Sequence, residues 1–386
     1  MTHRMLRVLE INETQDLSYV RANWQRLWDA TEGATFFQTL EWLQIYWKHF
    51  RQDKRLRVLL VLDSERLVGV VPLVVVNEST RLGNVRVLTY PLADWGTHFS
   101  LLAEQPRSTL RRALQHIHDT PRDWDMIDFR WLDENDLEVS LTAGAMQEAG
   151  YTANPGVWKE TVLIEFDGSW DDYLRARSPK LRADIRRKLK KYDLTKRVSL
   201  ERYRPQGKSF DDFDPRWDLF NTATRIAEKS WQGHSTTGTT ISHRTIRSYI
   251  KDCHIASVEL GMLDLAVLSL EDQPVGFCYN YIAKGRIFGL RRGDTSLARE
   301  HGLGTVLTAM LIRDSFERED AYLDMGPGSF EAKRRWMTRI ATVGRMTHYP
   351  LIAPRVQLLR LKHWWQASLD RKSGRLQTGN DEKNAV

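Results

Sequence analysis

The six residues Arg299–Gly304 form the pattern R-x-x-G-x-G, which is the most distinctive candidate for chemistry in the sequence. The pattern follows a strand-like run, Arg286–Arg291, and precedes a helix-like run, Thr305–Glu319. A glycine turn between a strand and a helix leaves backbone N–H groups unpaired at the positive end of the helix dipole, which suits a pyrophosphate. The lysine and the Ser/Thr of a P-loop are missing, which argues against a nucleoside triphosphate with magnesium. A surface turn that only leads the chain into the helix would show the same residues.

Two carboxylates and one histidine are candidates for a general base. Asp324 ends a predicted strand, where the sites of α/β proteins gather, and is the first candidate. Its alternative role is to cap the glycine turn that follows it. Glu228 and His234 flank Trp231, a candidate for substrate contact, and are the other two candidates for the base. A lone histidine is more often structural than catalytic.

Tyr281 and Lys333 complete the candidate side chains. Tyr281 alternates with Tyr279 on one predicted strand, so both face one side of it. Proton donation by Tyr281 and simple packing both explain this placement, and packing is favoured. Lys333 follows the last glycine turn and is predicted to bind a phosphate or carboxylate of the substrate. A solvated surface lysine is the alternative.

The elements that must position these residues repeat along the chain. In the first half, Leu56–Leu62 and Leu67–Val76 form a predicted hairpin, and in the second half Leu265–Leu270 and Val275–Ala283 do the same. The repeat predicts two copies of one α/β unit. Since the R-x-x-G-x-G pattern stands only in the second copy, the first is expected to serve as a scaffold or to help bind a second substrate.

A basic helix is predicted between the two copies. The run Arg175–Lys191 holds nine Lys or Arg residues and one acid, Asp184. A solvated face is the favoured interpretation, and contact with an anionic substrate or a nucleic acid is the alternative. Because the run lies far in sequence from the glycine pattern, its charges are expected to affect the second substrate more than the ligand of the loop.

Composition limits the class of protein. The 386 residues suffice for two domains, and the net charge of +7 favours an anionic ligand, a nucleic acid or an acidic surface. Two cysteines exclude a disulfide framework, and no Cys or His spacing indicates a metal. The N-terminus lacks the apolar run of a signal peptide, and the longest apolar run, Leu67–Val76, is too short to span a bilayer. A soluble cytoplasmic protein is expected.

Five segments of the second half occur in a specific order, namely Glu228–Trp231, Pro274–Gly276, Arg299–Gly304, Asp324–Gly326 and Phe330–Trp336. Their order resembles the GNAT superfamily of acyltransferases, and most closely its CelD-like group, which is linked to cellulose and exopolysaccharide synthesis. The Fem peptidoglycan aminoacyltransferases share the double-GNAT layout. The resemblance is clear over about residues 160–345 and weaker over the first half, where Phe37–Trp42 looks like the opening helix of the family.

The resemblance implies an α/β (α+β) fold with tandem GNAT-like domains, each a mixed, mostly antiparallel sheet flanked by helices. The expected boundaries are residues 1–160 for a degenerate first domain, 161–355 for the domain with the loop, and 356–386 for a C-terminal helix and polar tail. The implied donor is an acyl-CoA, usually acetyl-CoA, and the implied acceptor carries an amine or a hydroxyl.

The family's phosphate loop maps onto Arg299–Gly304 without a gap. Acyl-CoA contacts are therefore expected at Leu290, Arg291, Arg299, Glu300, His301, Gly302, Leu303, Gly304 and Thr305. A backbone N–H near Leu290 or Arg291 is expected to stabilise the oxyanion. The tyrosine that often protonates the leaving thiolate in this family has no match here, since Phe330 and Trp336 stand in that stretch.

Three functions remain open at this point. The first is acyl transfer from acyl-CoA to a sugar or a polysaccharide precursor. The second is Fem-like transfer from aminoacyl-tRNA, which the basic helix would suit. The third is a non-catalytic binding module in which both copies are degenerate. The glycine loop favours the first over the third, and the sequence does not identify the acceptor, the acyl chain length or the oligomeric state.

Overall fold

The computed structural model describes residues 6–80, 83–91, 95–133, 138–230, 240–328 and 330–361. They divide into two compact units. The first unit contains the residues up to Thr161 together with those from Ala341 onward, and the second is Val162–Ile340. The residues after 340 therefore pack with the first unit, whereas the sequence placed 341–355 in the second domain.

The first unit is a mixed sheet with helices against it. In chain order its elements are β1 (Leu6–Ile11), α1 (Arg21–Ala30), α2 (Leu40–Phe50), β2 (Lys54–Asp63), β3 (Arg66–Thr80), β4 (Gly83–Thr89), β5 (Leu102–Ala103), α3 (Pro106–Asp119), β6 (Met126–Asp133), α4 (Glu138–Glu148) and the start of β7 (Asn154–Glu165). Short 3₁₀ helices span Thr14–Val20 and Phe36–Gln38.

The second unit begins within β7 and has the same kind of layout. Its elements are α5 (Trp170–Arg175), α6 (Pro179–Thr195), β8 (Val198–Tyr203), α7 (Trp217–Lys229), α8 (Arg247–Glu259), β9 (Leu263–Leu270), β10 (Gln273–Ala283), β11 (Arg286–Asp294), α9 (Ser296–Glu300), α10 (Leu303–Glu317), β12 (Tyr322–Asp324), α11 (Phe330–Arg334) and the start of β13 (Arg339–His348). A 3₁₀ helix spans Lys208–Phe210.

The strand order repeats between the units. In the first unit it is β1-β2-β3-β4-β6-β13, and in the second it is β8-β9-β10-β11-β12-β7. In each case one parallel pair, β4 with β6 or β11 with β12, interrupts otherwise antiparallel pairing. This confirms the two copies that the paired hairpins predict and the mixed, mostly antiparallel sheets that the family resemblance implies.

Apolar patterning explains why the second unit forms two layers of helices around its sheet. Leu268 and Cys278 lie in a cluster with Tyr192 of α6 and with Leu303 and Leu307 of α10. On β10, Tyr279 instead contacts Phe220 of α7 and His254 of α8, with ring centroids 6.3 and 5.9 Å away. Because side chains alternate along a strand, one face of the sheet packs on α6 and α10 and the other on α7 and α8.

A buried acid joins the outermost strand of the first unit to its neighbour. Asp128 of β6 is fully buried and accepts hydrogen bonds of 2.7 Å from Nε and Nη2 of Arg345 in β13. It also accepts one of 2.6 Å from Nε of Arg130. These two guanidinium groups hold the pKa of Asp128 below its usual range despite burial, which alone would raise it. The first unit thus depends on a residue contributed by β13.

A second buried acid of the first unit, Glu138, has a raised pKa, and this shift predicts that the stability of the fold depends on pH. Burial raises the pKa of Glu138 to about 7, against hydrogen bonds from the Ser100 hydroxyl and the Asp133 backbone N–H, which lower it. A carboxyl with a raised pKa stabilises the folded state below its unfolded pKa, and this stabilisation is lost as pH rises through the folded value. We expect the free energy of unfolding of wild type, measured against Glu138→Gln, to fall between about pH 4.5 and pH 7.5.

Urea unfolding at several pH values measures this difference. Glu65→Gln is the matched control, because Glu65 is 89% exposed. For the control, the difference in the free energy of unfolding between wild type and variant should not change with pH. If the difference between wild type and Glu138→Gln is equally constant over this pH range, the raised pKa of Glu138 is contradicted.

Candidate functional site

The sheet of the second unit opens at one point. β11 pairs with β12 in parallel only from Arg286 to Phe288, opposite Tyr322 to Asp324. At Gly289 the chains still lie close, since a Cβ there would be 3.0 Å from the Asp324 carbonyl oxygen. β11 then continues to Asp294. β11 therefore extends past the end of β12, and we call the edge of β11 beyond Phe288, which no described strand covers on that side, the cleft.

A β-bulge lies at the mouth of this cleft. Tyr279 of β10 is opposite Arg291 and Asn280 is opposite Gly289, so Leu290 is one extra residue in β11. A bulge leaves the extra residue unpaired in the ladder and turns the local backbone. β11 ends at Asp294, three residues beyond Arg291, where the sequence analysis ended the strand. The bulge turns its backbone at Leu290, a residue that is predicted to contact the acyl-CoA donor.

The glycine loop, Arg299–Gly304, has more structure than the sequence indicated. Its first two residues, Arg299 and Glu300, belong to α9, and α10 begins at Leu303 rather than at Thr305. Gly302 is the N-cap of α10 with φ of +62°, a conformation that favours glycine, and no side chain caps the helix there. The first N–H groups of α10 are therefore left to solvent or to a ligand.

The described loop residues divide into exposed and buried ones. Arg299, Glu300 and His301 are exposed, whereas Leu303 and Thr305 are buried. Arg291 is half-buried, and its Nη1 donates to the carbonyl of the neighbouring Leu290 at 2.6 Å. The buried residues anchor α10 in the core, and the exposed residues lie at the surface just before the N-terminus of α10.

Three cations that the sequence did not single out for the loop surround the start of α10. A Cβ at Gly302 would lie 2.8 Å from Nζ of Lys188 in α6. Arg292 donates to the Gly304 carbonyl at 2.6 Å, and Arg335 donates to the Thr305 hydroxyl at 3.1 Å. Unpaired N–H groups together with nearby positive charge make an anion site.

The basic helix lies far from the loop in sequence, but the fold brings one face of it to the loop. α6 packs against the loop through Lys188 and also through Tyr192, whose hydroxyl donates to the His301 carbonyl at 3.2 Å. The larger effect of this helix on the second substrate than on the ligand of the loop stays a prediction. Arg186, Arg187 and Lys190 are exposed on the rest of the helix.

Asp324 and Lys333 lie together at the end of β12. Asp324 is buried, and its Oδ1 accepts from the Gly326 N–H at 2.7 Å, so it caps the glycine turn. Lys333 donates to the carbonyls of Gly326 and Pro327, both at 2.8 Å. Burial lowers the pKa of Lys333 to about 8, with Asp324 opposing this shift and Arg291 adding to it. The capping role of Asp324 is present, and its carboxylate also stabilises a lysine of unusual pKa.

The remaining candidates are placed elsewhere or not described. Glu228 is exposed in α7, and Tyr281 is buried in β10 beside Tyr279, with ring centroids 5.9 Å apart. Burial raises the pKa of Tyr281 well above its ordinary value. Trp231 and His234 lie outside the described residues. The structure thus groups Asp324 with Lys333, and it places Tyr281 on the face that packs on α7 and α8.

Lys188, Arg292 and Arg335 left little signal in the sequence. Lys188 is one of nine basic residues in its run, and nothing in the periodicity marks it as the one that faces α10. Arg292 follows the bulge, and a bulge changes which residues face a given side. Arg335 lies in the Phe330–Trp336 segment that supports the family resemblance, so the order of motifs was the one available indication.

A comparison with protein families identifies this region. Residues 179–334 match the family model of the acetyltransferase (GNAT) domain. The match lies within the second unit and includes α6, the glycine loop and Lys333. The second unit therefore carries a GNAT-type domain, which supports an acyltransferase.

Solved structures extend the likeness of fold over nearly the whole chain. A crystal structure of FemX aligns with a TM-score of 0.59 and 12% identity, covering 91% of this chain and 99% of that one. L-PGS from Bacillus licheniformis gives 0.53 and 12%, with 92% and 98% covered. A conserved protein of unknown function from Bacteroides thetaiotaomicron gives 0.53 and 10%, with 90% and 100% covered. A comparison with curated proteins found no match. Within the described ranges, no helix is long and apolar enough to cross a membrane.

Proposed function

We propose that this protein is an acyl-CoA-dependent acyltransferase that transfers an acetyl group to an amine or hydroxyl of a saccharide or a polysaccharide precursor. The observation that supports this most is the uncapped start of α10 at Gly302, with Lys188 beside it and the cleft along the edge of β11. A pyrophosphate fits bare N–H groups at a helix start, and the cleft can admit an extended pantetheine arm.

The residues around the cleft suit transfer from a thioester. An acetyl thioester needs little activation, so the protein must orient its carbonyl, stabilise the oxyanion and move protons. The N–H of Leu290, left out of the ladder by the bulge, is the candidate oxyanion donor. Asp324 is the candidate base, and the low pKa of Lys333 suits it to hold an anionic group of the acceptor or to pass a proton.

The saccharide acceptor rests on the resemblance to the CelD-like group. The first unit, which lacks the R-x-x-G-x-G pattern, is assigned a supporting role as a scaffold or as part of acceptor binding.

Ligand-induced stabilisation tests the proposal directly. A ligand that binds only the folded state raises the melting temperature. We expect acetyl-CoA to raise the melting temperature. An equal concentration of unfractionated, deacylated tRNA should leave the melting temperature unchanged. No response to acetyl-CoA or to longer acyl-CoAs would reject the donor assignment.

A second candidate is an aminoacyltransferase that uses aminoacyl-tRNA. The exposed cationic face of α6, with Arg186, Arg187 and Lys190, favours it. Contacts between such a face and phosphates weaken linearly with the logarithm of the salt concentration. Salt-dependent binding of tRNA that is lost in an Arg186, Arg187 and Lys190 charge-reversal variant would favour this function over the first.

Lys188→Gln should weaken acyl-CoA binding by about tenfold, the usual scale for losing one charged contact to a phosphate. The reason is the position of its Nζ beside Gly302, where Asp184 holds it at 2.8 Å. Calorimetric titration with CoA measures the effect. Arg186→Gln makes the same change of charge on an exposed position of the same helix and is the control. Equal losses in the two variants would show that only the overall charge of α6 matters.

A further inference from the structure

A cationic surface depression lies beside the candidate donor site in the second unit. Its volume is about 430 Å³, and its lining includes Arg177, Arg334, Arg335, Ser178 and Glu331. We call it the arginine pocket, after Arg177, Arg334 and Arg335. Ser178 is the N-cap of α6, so the positive end of a helix of 17 residues also faces this region.

The charges of the arginine pocket are only partly compensated. Within the described residues, Arg334 and Arg335 form no ion pair with a carboxylate, and Glu331 is the one acid in the lining. Three guanidinium groups against one carboxylate leave an excess of positive charge. Planar guanidinium groups that converge on one space are suited to a phosphate, which accepts paired hydrogen bonds from them.

Two of the arginines are held in place by neutral partners. Arg177 donates to the carbonyls of Trp336 and Met337, and its guanidinium lies 4.7 Å from the centre of the Tyr173 ring. Arg335 donates to the Thr305 hydroxyl at 3.1 Å. Carbonyl, hydroxyl and ring contacts fix a guanidinium without neutralising it, so the arginines are ordered before any anion arrives.

The link between Arg335 and Thr305 also places the arginine pocket next to the first turn of α10. This open depression of about 430 Å³ has room for more than one phosphate, and most of the residues that line it are exposed. A phosphate joined to a sugar ring matches both the charge and the volume.

We propose that the arginine pocket is a second phosphate site, separate from the glycine loop, that binds a phosphate monoester carried on a sugar or ribose. This proposal rests on the proposed function in that the ligand is one of the two substrates. Two sources share the chemistry, namely the ribose 3′-phosphate of CoA and a phosphate on the saccharide acceptor.

Arg334→Gln is the variant of choice, because Arg334 is exposed and its side chain forms no hydrogen bond or ion pair with the described residues. Arg334→Lys keeps the charge and should restore part of the binding. Arg225→Gln in α7, an exposed arginine away from the pocket, is the matched control. Melting temperatures of all three establish that each variant is folded.

The first arm of the experiment titrates CoA and 3′-dephospho-CoA into wild type and Arg334→Gln. If the pocket binds the 3′-phosphate, wild type should prefer CoA by about tenfold and Arg334→Gln should bind both ligands almost equally. The second arm titrates glucose 6-phosphate, with glucose as the uncharged control, in the absence and presence of saturating CoA. If the pocket binds an acceptor phosphate, glucose 6-phosphate should bind in both conditions and about tenfold more weakly to Arg334→Gln.

The proposal is overturned if Arg334→Gln changes neither the preference for CoA over dephospho-CoA nor the affinity for glucose 6-phosphate. The same holds if Arg225→Gln has equal effects. Failure of the proposed function looks different, because wild type would then bind neither CoA nor dephospho-CoA. In that case glucose 6-phosphate without CoA still decides whether the pocket binds a phosphate monoester.

Discussion

Replacing Gly302 and Gly304 together by aspartate should abolish the binding of acyl-CoA to the folded protein. The two carboxylates would stand at the start of α10, where the unpaired N–H groups and Lys188 provide the positive potential for a pyrophosphate. Repulsion between like charges at such short range, together with the loss of space, should reduce affinity by about a hundredfold or more. Calorimetric titration with CoA measures the loss.

The neighbours of these glycines show how the change would be accommodated. A Cβ at Gly302 would meet the flexible end of Lys188 at 2.8 Å, and one at Gly304 would meet Nη2 of Arg292 at 2.9 Å and Oδ2 of Asp294 at 3.1 Å. All three contacts are with the ends of side chains rather than with backbone, so a folded variant is expected. Aspartate also tolerates the positive φ of Gly302 better than most residues.

Gly156→Asp provides the matched control, because a Cβ at Gly156 meets nothing within 4 Å. A double variant that melts like the control and still binds CoA with wild-type affinity would show that the glycine loop does not hold the donor.

Asp324→Asn should lower kcat by about a hundredfold, the usual scale of general base catalysis, with little change in CoA binding. Asparagine has nearly the same shape and can still accept the Gly326 N–H, so the cap at the glycine turn should survive. The change removes the negative charge, and with it the ability to take a proton from the acceptor. Steady-state kinetics and CoA titration on the same preparation separate the two effects.

The shared environment of Asp324 and Lys333 gives this variant a second readout. Asp324 raises the pKa of Lys333, so its neutralisation should lower that pKa below about 8. The alkaline limb of the pH–rate profile should shift to lower pH if Lys333 must be charged. Asp272→Asn in the exposed β9–β10 turn is the control for the amide change. Turnover within a few-fold of wild type would exclude Asp324 as the base and direct attention to Glu228 and His234.

Local patterns predicted much of the fold. The segment Phe37–Trp42 was expected to open a helix, and α2 begins within it at Leu40, with the Thr39 side chain accepting from the Trp42 N–H at 3.1 Å as its cap. The hairpins β2–β3 and β9–β10 were also expected, because apolar runs joined by short polar turns specify their own pairing. The pairing of β13 with β6 joins segments about two hundred residues apart, and no local pattern encodes it.

The candidate site shows the same division. The glycine loop and Asp324 were found from sequence because glycine spacing and strand ends leave a local signature. The bulge at Leu290 was not, because an extra residue appears only when β11 is aligned with β10. The guanidinium groups of Arg177 and Arg335 are held by a backbone carbonyl and a hydroxyl of other segments. A single sequence does not reveal such contacts.

The insertion of the second unit into the first has a consequence for synthesis on the ribosome. A chain emerging from its N-terminus completes residues 162–340 before β13 becomes available. Until then β6 lacks its outer neighbour, and the buried carboxylate of Asp128 lacks Arg345. A buried acid that keeps only Arg130 of its two arginine partners disfavours the compact state, and an open strand edge invites wrong pairing. The second unit can therefore fold first, and the first unit completes its folding only after β13 has been synthesised.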